Sequence, residues 1–163
     1  MSGFERYNKI LNLFSEQRNS LTVAEISQEL KVPASTVYRI VREMVLAEFI
    51  ESAAGSYFRL GQAFIKFNRI INLSDPLIQA GEPFLKKLAN ENPIPSTNIL
   101  ARLFGNKVMC VADFKHSTFK NNTSYQKGRL MPLLYGATSR AIIMQITEKR
   151  LNNILNLEGL NDD

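Results

Sequence analysis

Five polar side chains in the segment 35–42 have the chemistry to bind an anionic surface. They are hydroxyl and guanidinium groups: Ser35, Thr36, Tyr38, Arg39 and Arg42. Hydroxyl groups both donate and accept hydrogen bonds, and a guanidinium presents a planar fork of donors that matches a phosphate or the edge of a guanine. No acidic residue interrupts this set before Glu43. The segment therefore suits a groove lined with phosphates.

Apolar residues place this polar set on one side of a helix. Four of them recur at the spacing of one helical face: Val37, Ile40, Val41 and Met44. Such a stripe is buried, which leaves the hydroxyl and guanidinium groups on the opposite side. Pro33 is well placed to open the helix, because the first turn needs no donor from its nitrogen. We therefore predict a helix over 33–45.

A shorter helix comes directly before it. Thr22 and Glu25 form a T-x-x-E capping box, in which the hydroxyl and the carboxylate each satisfy a free backbone donor of the first turn. We predict that this helix starts at Thr22 and stops before Pro33, which removes a donor and disfavours helical angles in the residue before it. Two helices joined in this way are typical of a helix-turn-helix, whose second helix reads base edges in the DNA major groove. The alternative is an ordinary helical hairpin with a solvated polar face.

The residues that follow favour the DNA-binding interpretation. Segments 49–52 and 57–60 read as strands, and the glycine-containing segment 53–56 reads as the turn between them. A small β-hairpin directly after the second helix is the wing of a winged helix. Ser56 and Arg59 of this wing, together with Thr22, complete the candidate DNA contacts.

Two further helices are predicted beside this motif. The first runs from about Gly3 to Gln17, opens with a capping box of Ser2 and Glu5, and covers the helix-turn-helix from behind. The second spans 62–73 and has a wide apolar surface that needs burial, with Phe64, Phe67 and Ile71 as its candidate dimer contacts. Packing on its own domain is the alternative. We favour a dimer, since DNA readers usually present two modules by two-fold symmetry.

A second unit begins at Asp75, which caps a helix that runs to about Glu91. Pro83 lies inside this helix and should kink it or divide it in two. Segments 97–103 and 107–115 form an antiparallel hairpin whose outer edge is open to pairing with another chain, and a short strand covers 124–130. Segment 117–123 is a polar loop, and helices cover 138–146 and the residues from 147. The tail 158–163 is expected to fray. The fold class is therefore α+β.

Composition limits the function further. The 163 residues are 45% hydrophobic and 21% charged, which fits a soluble globular protein of one or two small domains. No apolar run approaches the roughly 20 residues of a membrane span, and the N-terminus lacks a signal-peptide core. We therefore expect a cytoplasmic protein with no membrane partner. The formal net charge of +5 favours a polyanionic partner.

Enzyme chemistry finds little support in the sequence. One cysteine and one histidine cannot build a Cys/His zinc site, and no phosphate-binding or hydrolase motif occurs, so we expect no cofactor and no metal. Cys110 and His116 would lie up to roughly 20 Å apart along an extended strand, which is too far for a nucleophile and its base. A buried structural cysteine is favoured. An enzyme or sensor that uses Cys110 is the weakest of the alternatives.

Several of these stretches together resemble the IclR family of bacterial transcriptional regulators. They are LTVAEISQEL, KVPASTVYRIV, FRLG at 58–61 and GRLMPLLYGATSRAII from Gly128. The resemblance implies a winged helix-turn-helix DNA-binding domain over 1–61, a linker and dimerisation helix over 62–74, and a profilin/GAF-like α/β effector domain over 75–163. It also implies a homodimer or tetramer on a palindromic operator and a small organic acid as effector. Ser35, Thr36 and Arg39 occupy the family's P-x-S-T-V-x-R places, and the effector residues would be Gly136, Ala137, Thr138 and Ser139.

The chain departs from the family pattern in two respects. Gly136 stands in the family's threonine place, Ser139 in its glycine place and Arg140 in its lysine place. The effector domain also stops about halfway, so we expect a partly built pocket with weak effector affinity. The chain is then either a fragment of a longer protein or a naturally shortened relative. A second functional hypothesis follows: a shortened member that dimerises or binds DNA without sensing an effector.

Overall fold

The computed structural model describes residues 3–118 and 126–157. The chain divides into two compact units, Met1–Leu73 and Ser74–Asp163. The first contains, in chain order, α1 (Gly3–Leu11), β1 (Ser20–Thr22), α2 (Val23–Leu30), α3 (Ala34–Leu46), β2 (Ile50–Ser52), β3 (Tyr57–Leu60) and α4 (Ala63–Ser74), which ends at the boundary. The second contains α5 (Pro76–Glu91), β4 (Thr97–Phe104), β5 (Lys107–Lys115), β6 (Leu130–Pro132), α6 (Gly136–Ile143) and α7 (Glu148–Leu157). The fold class is α+β, as predicted.

The core of the first unit is built from α1, α2, α3 and the strands beside them. Its buried residues are Ile10, Leu21, Ile26, Val37, Ile40, Val41, Met44 and Ile50. All four apolar residues predicted for the inner face of α3 belong to this set. Their burial fixes the rotation of α3, and it leaves the polar face of that helix turned outward.

The wing hairpin, β2 and β3, belongs to a three-stranded antiparallel sheet in the order β1-β3-β2. Phe58 of β3 is the register partner of Leu21 in β1 and of Ser52 in β2. The hairpin of β2 and β3 was predicted from the sequence, and its turn contains Gly55 with φ +69°, a conformation that favours glycine. Strand β1 was not predicted. It joins the wing directly to the start of α2.

Helix α1 is shorter than predicted, because it ends at Leu11 rather than near Gln17. The amide Nδ2 of Asn12 donates to the carbonyl of Asn8 at 2.8 Å, and such side-chain bonds to the last turn compete with continuation of a helix. Leu13 and Phe14 still pack against the core of the first unit. The predicted cap at Ser2 lies outside the described residues.

The second unit is a three-stranded antiparallel sheet, ordered β4-β5-β6, between helices. Helix α5 packs on one face through Ile78 and Leu85, and α6 and α7 pack on the other around Val108 and Ile154. Helix α5 is one continuous helix that contains Pro83, so division of the helix at that proline was wrong. The proline leaves only one carbonyl in the helix without its usual donor, and the capped start and the buried face hold the rest together.

Two boundaries in this unit also differ from the sequence prediction. The strand predicted over 124–130 is instead β6, at Leu130–Pro132, where it pairs with β5; residues 119–125 lie outside the described part. Helix α6 begins two residues earlier and ends three residues earlier than predicted. Gly136 accounts for the early start, because its φ of +84° lets the chain turn sharply from β6 into the helix. The predicted fraying of 158–163 concerns residues outside the described ranges.

None of the helices in the described ranges combines the length and apolar character needed to cross a bilayer.

Candidate functional site

The start of α2 is fixed by local hydrogen bonds. The backbone N–H of Glu25 donates to Oγ1 of Thr22 at 3.2 Å, and the N–H of Thr22 donates to Oε2 of Glu25 at 2.7 Å. This is the predicted capping box. The hydrogen bond from the Thr22 backbone, with a smaller contribution from its hydroxyl, lowers the pKa of the Glu25 carboxyl. Thr22, predicted as a DNA contact, therefore uses its hydroxyl inside the protein.

The connection between α2 and α3 is a short turn with defined geometry. Lys31 adopts the left-handed conformation with φ 54°, which ends α2. The N–H of Val32 donates back to the carbonyl of Ser27 at 3.2 Å, and the Ser27 hydroxyl donates to the Val32 carbonyl at 2.6 Å. Pro33 then occupies the position just before α3, where its side chain makes no capping hydrogen bond. These bonds fix the angle between the two helices.

The outward face of α3 carries all five predicted side chains of the segment 35–42. Ser35, Tyr38, Arg39 and Arg42 are exposed, while Thr36 is half-buried at the first turn. Tyr38 is 56% exposed, so its ring and hydroxyl are accessible to a partner. The first turn of α3 holds no acidic side chain. Because the N-terminal end of a helix carries a partial positive charge, this end attracts phosphate.

The arginines on this side of the molecule have different environments. Nη1 of Arg39 lies 3.5 Å from Oε1 of Glu43, and Nε of Arg59 in the wing lies 2.6 Å from Oε1 of Glu51. Arg42 makes no ion pair with any residue in the described ranges. Two of the three arginines are thus partly neutralised, and one presents its full charge to solvent. Ser56, at the wing turn, is exposed.

Two residues that contact this face or its arginine, Glu43 and Tyr7, were not predicted from the sequence. Glu43 is bonded by the hydroxyl of Tyr7 from α1, through Oε2, while its other oxygen faces Arg39. The spacing of Arg39 and Glu43, four residues apart on a helix, was a signal that could have identified their pairing. Tyr7 lies within the predicted first helix, and nothing local to its sequence points to α3.

Residues 5–53 match the family model of the IclR helix-turn-helix domain. The match covers most of α1 and all of β1, α2, α3 and β2. Over these residues the first unit is similar to the IclR helix-turn-helix domain. The matched part includes the whole polar face of α3, and it stops short of the second wing strand and α4.

Two bacterial transcriptional regulators resemble the chain over most of its length. The HTH-type transcriptional regulator KipR of Bacillus subtilis is 26% identical over 135 residues, which is 82% of this chain and 52% of KipR. The acetate operon repressor of Salmonella typhimurium is 21% identical over 160 residues, which is 93% of this chain and 56% of that repressor. The chain therefore spans about half the length of the curated relatives it matches.

A solved structure extends the likeness to the fold of both units. It is an IclR homologue from Microbacterium hydrocarbonoxydans complexed with 4-hydroxybenzoate, with 21% sequence identity and a TM-score of 0.71. The alignment covers 95% of this chain and 63% of that one. The similarity in fold thus includes the second unit.

The second unit contains an open cavity of about 720 Å³ along β4. Its walls come from β4, α5 and α6, and its lining residues are Leu85, Leu88, Thr97, Asn98, Ile99, Leu100, Ala101, Leu103, Ala137, Thr138, Ala141, Ile142, Gln145 and Ile146. Within the described ranges β4 is an edge strand, and β6 pairs with β5 on the far side. The cavity therefore follows the open edge of the sheet.

The four predicted effector residues divide into two groups. Ala137 and Thr138 line the cavity. Ser139 is fully buried, and its hydroxyl donates to the carbonyl of Pro132 at 3.0 Å, so it holds α6 against β6 instead. Gly136 supplies the sharp turn before α6. The wall formed by β4 was not predicted, because residues 97–103 show only an ordinary strand pattern.

The cavity is lined mostly by apolar side chains. Among the lining residues in the described ranges there is no lysine, arginine, histidine, aspartate or glutamate, and the polar groups are the side chains of Thr97, Asn98, Thr138 and Gln145. The hydroxyl of Thr97 is buried and makes no hydrogen bond within the described residues. A ligand with a hydroxyl or amide group could satisfy it, because buried polar atoms are normally paired.

The predicted dimer residues lie on α4, with different exposures. The ring of Phe64 lies 5.7 Å from that of Phe49, and the ring of Phe67 lies 6.2 Å from it. Phe64 is half-buried by this packing, whereas Phe67 is 43% exposed and Ile71 is 52% exposed. Packing on its own unit thus accounts for part of this face, and an apolar surface remains uncovered.

Cys110 is fully buried in β5, opposite Ala101 in β4. Burial, together with the nearby charge of Asp113, raises the pKa of the Cys110 thiol to about 11. The thiol is therefore protonated at neutral pH and is a poor nucleophile. The environment of Cys110 matches that of a structural cysteine.

Proposed function

We propose that this chain is a cytoplasmic transcriptional regulator that binds double-stranded DNA through α3 and the wing. The observation that carries the proposal is the exposed set of hydroxyl and guanidinium groups on α3, in a unit whose helix-turn-helix matches the IclR domain. Arg39 would read a guanine, Ser35 and Thr36 would meet the groove near the start of α3, and Arg42 would contact phosphate. Ser56 and Arg59 extend the contact from the wing. The function is binding rather than catalysis.

The regulator would act as a homodimer on a palindromic operator. Support comes from the uncovered face of α4, where Phe67 and Ile71 leave a surface that a second copy can bury. A two-fold dimer presents two α3 helices to half-sites about one helical turn apart, so operator symmetry follows from protein symmetry. The division of the first unit into a DNA-binding part, 1–61, and a linker helix, 62–74, belongs to the same proposal.

Selection of bound sequences from random duplex DNA tests this function directly. We expect an enriched palindrome whose half-sites contain a guanine, and binding that weakens steeply as salt rises. The same selection is repeated with the triple variant Ser35→Ala, Arg39→Ala, Arg42→Ala. This variant removes the polar side chains of α3 and leaves the core residues of the helix in place. Enrichment of the same sequence by this variant would contradict the proposed role of α3.

A second proposed activity is the binding of a small molecule in the cavity of the second unit. The resemblance to IclR regulators implies an organic acid, but the part of the wall that the structure describes carries no charged side chain and favours an uncharged, largely apolar ligand. An ionised carboxylate that leaves water without a cationic partner loses far more solvation energy than a neutral amide or hydroxyl does. Affinity should also be limited, because ligands bind well only when most of their surface is enclosed.

Calorimetry with a matched pair of compounds distinguishes these ligand classes. We expect 4-hydroxybenzamide, which is uncharged, to bind more tightly than 4-hydroxybenzoate, and we expect no carboxylic acid to bind with micromolar affinity. Thr138→Leu, which fills the cavity from α6, should abolish the signal for the amide. Micromolar binding of a carboxylic acid that survives Thr138→Leu would show that the effector site lies elsewhere. A chain that binds DNA and no small molecule would act as a constitutive binding module.

A further inference from the structure

We propose that Glu43 positions Arg39 for base recognition and suppresses non-specific DNA binding, and that Tyr7 holds Glu43 in place. This inference rests on the DNA-binding function proposed above. Glu43 is the single acidic residue in α3. It lies on the flank of the polar face, where a negative charge repels the phosphates that the rest of the face attracts. An acid at this position needs a physical reason.

The contacts of Glu43 supply that reason. Its Oε1 lies 3.5 Å from Nη1 of Arg39, and its Oε2 accepts a hydrogen bond from the hydroxyl of Tyr7. Tyr7 comes from α1, a different helix, and its ring packs against the core of the first unit. The carboxylate is thus anchored from the protein interior while it faces an arginine whose side chain is 68% exposed. These contacts link Tyr7, in the core of the first unit, through Glu43 to Arg39 on the exposed polar face of α3.

An anchored carboxylate affects guanine and phosphate recognition differently. A guanidinium has five N–H donors, so a carboxylate on Nη1 leaves other donors free to form a bidentate contact with guanine. Contact with phosphate depends on the net charge of the arginine, which the carboxylate reduces. The orientation of the Arg39 side chain is therefore restricted, and its attraction to DNA of arbitrary sequence is weakened. Arg42, which has no ion pair in the described part of the chain, keeps its full charge for phosphate.

The test compares the selected operator with a random duplex of equal length over a series of salt concentrations. Glu43→Gln should strengthen binding to the random duplex about 2–5-fold, and it should steepen the salt dependence by up to about 0.9 in log–log slope, since one more cation becomes available to phosphate. The preference for the operator should fall by a similar factor. Glu82→Gln is the matched control, because Glu82 forms an exposed pair of the same spacing with Lys86, at 3.6 Å, in the second unit. It should change neither quantity.

Tyr7→Phe separates positioning from charge. This variant keeps the ring in the core and the charge of Glu43, and it removes only the hydroxyl that anchors the carboxylate. We expect an unchanged salt slope and a weaker preference for guanine at the base pair that Arg39 contacts. If Tyr7→Phe leaves that base preference intact, Tyr7 has no part in positioning and the proposal fails in that respect. Thermal melting of each variant checks that the first unit is folded.

The decisive comparison is made in the Arg39→Ala background. If Glu43 acts through Arg39, Glu43→Gln should have no further effect on base preference once the arginine is absent. A persistent effect on base preference would mean that Glu43 acts on the DNA without Arg39, which overturns the positioning role. Failure of the unsubstituted chain to bind any duplex is a different result: it removes the DNA-binding function itself, and this inference with it.

Discussion

Arg102, on β4, forms a two-pronged ion pair with Asp75 at the start of α5. Its Nη1 lies 2.8 Å from Oδ2 of Asp75, and its Nη2 lies 3.3 Å from Oδ1. The same carboxylate accepts hydrogen bonds from the backbone N–H groups of Leu77 and Ile78, at 2.9 and 3.2 Å. One side chain therefore caps α5 and joins that helix to the sheet. Paired, planar hydrogen bonds of this kind are stronger than single ones.

Asp75 should make the stability of the second unit depend on pH. Partial burial raises the pKa of its carboxyl, but hydrogen bonds from Ile78 and Leu77 and the charge of Arg102 outweigh burial, and the net pKa is lowered. A lowered pKa in the folded state means that the stabilisation is present above the unfolded value, near 3.8, and is lost as pH falls through the folded value. Melting temperatures of the chain from pH 7 to pH 2 measure this loss.

Asp75→Asn isolates the charge, because asparagine is also a good helix cap. We expect a lower melting temperature than that of the unsubstituted chain at pH 7, and convergence of the two as pH falls below the folded pKa of Asp75. Glu82→Gln, in an exposed pair on the same helix, serves as the control. A difference between Asp75→Asn and the unsubstituted chain that is equally large at pH 7 and pH 2 would rule out the charge as the cause.

Arg39→Ala and Arg42→Ala should affect DNA binding in different ways. Loss of a bidentate guanine contact at Arg39 should weaken operator binding by about 1–3 kcal/mol and relax the preference at one base pair. Loss of a phosphate contact at Arg42 should weaken binding to all sequences alike and reduce the salt slope by about 1. Mobility-shift titrations with operator and random DNA distinguish the two results. Equal behaviour of the two variants would contradict this division of roles.

Local signals explain why the helix-turn-helix could be predicted. Residues three and four apart form both the capping box of Thr22 and Glu25 and the apolar stripe of α3, so both features can be predicted from local sequence. Strand β1 has only three residues. The register partner of its Leu21 is Phe58, which lies 37 positions further along the chain (58 minus 21). Three residues are too few to form a periodic pattern that would predict such a pairing. The same is true of Tyr7, whose bond to Glu43 joins two helices.

The second unit shows the same limit. The hairpin of β4 and β5 follows from alternation and from the glycine turn, where Gly105 has φ +63°. The cavity along β4 does not, because it depends on how α5 and α6 approach the sheet from opposite faces. Ala137 and Thr138 were located by resemblance. The absence of charged side chains among the described lining residues also depends on how β4 and α6 share the cavity.

Phe67→Glu should convert a dimer into monomers. The substitution places a charge on the uncovered face of α4, where a second copy would bury it without a partner. Sedimentation velocity measures the change in mass. Ile94→Glu is the control, since Ile94 is 70% exposed in the second unit and is outside the proposed contact. A dimer that persists with Phe67→Glu would show that the contact lies elsewhere.

Gly61→Ala should destabilise the first unit by about 1–3 kcal/mol, the usual cost of overpacking. A Cβ at this position would lie 2.2 Å from the carbonyl oxygen of Glu48, a backbone atom that cannot turn away as a side chain can. Gly61 also donates its N–H to Phe49 at 2.8 Å, so the two segments are held together. Denaturant unfolding measures the loss. Gly3→Ala, whose Cβ would meet only Tyr7 at 3.9 Å, should cost nothing measurable.

Strand β3 has a partner on each side, because β1 pairs with it opposite β2. A hairpin held only at its ends could move independently of the helices. In this hairpin, β3 pairs with β1, which immediately precedes α2. Amide hydrogens of β3 should therefore exchange with solvent only when the whole first unit opens, as those of a core strand do. The turn at 53–56 is free of this constraint. Its residues can change between related proteins, and with them the DNA contacts of the wing tip, while the orientation of α3 stays the same.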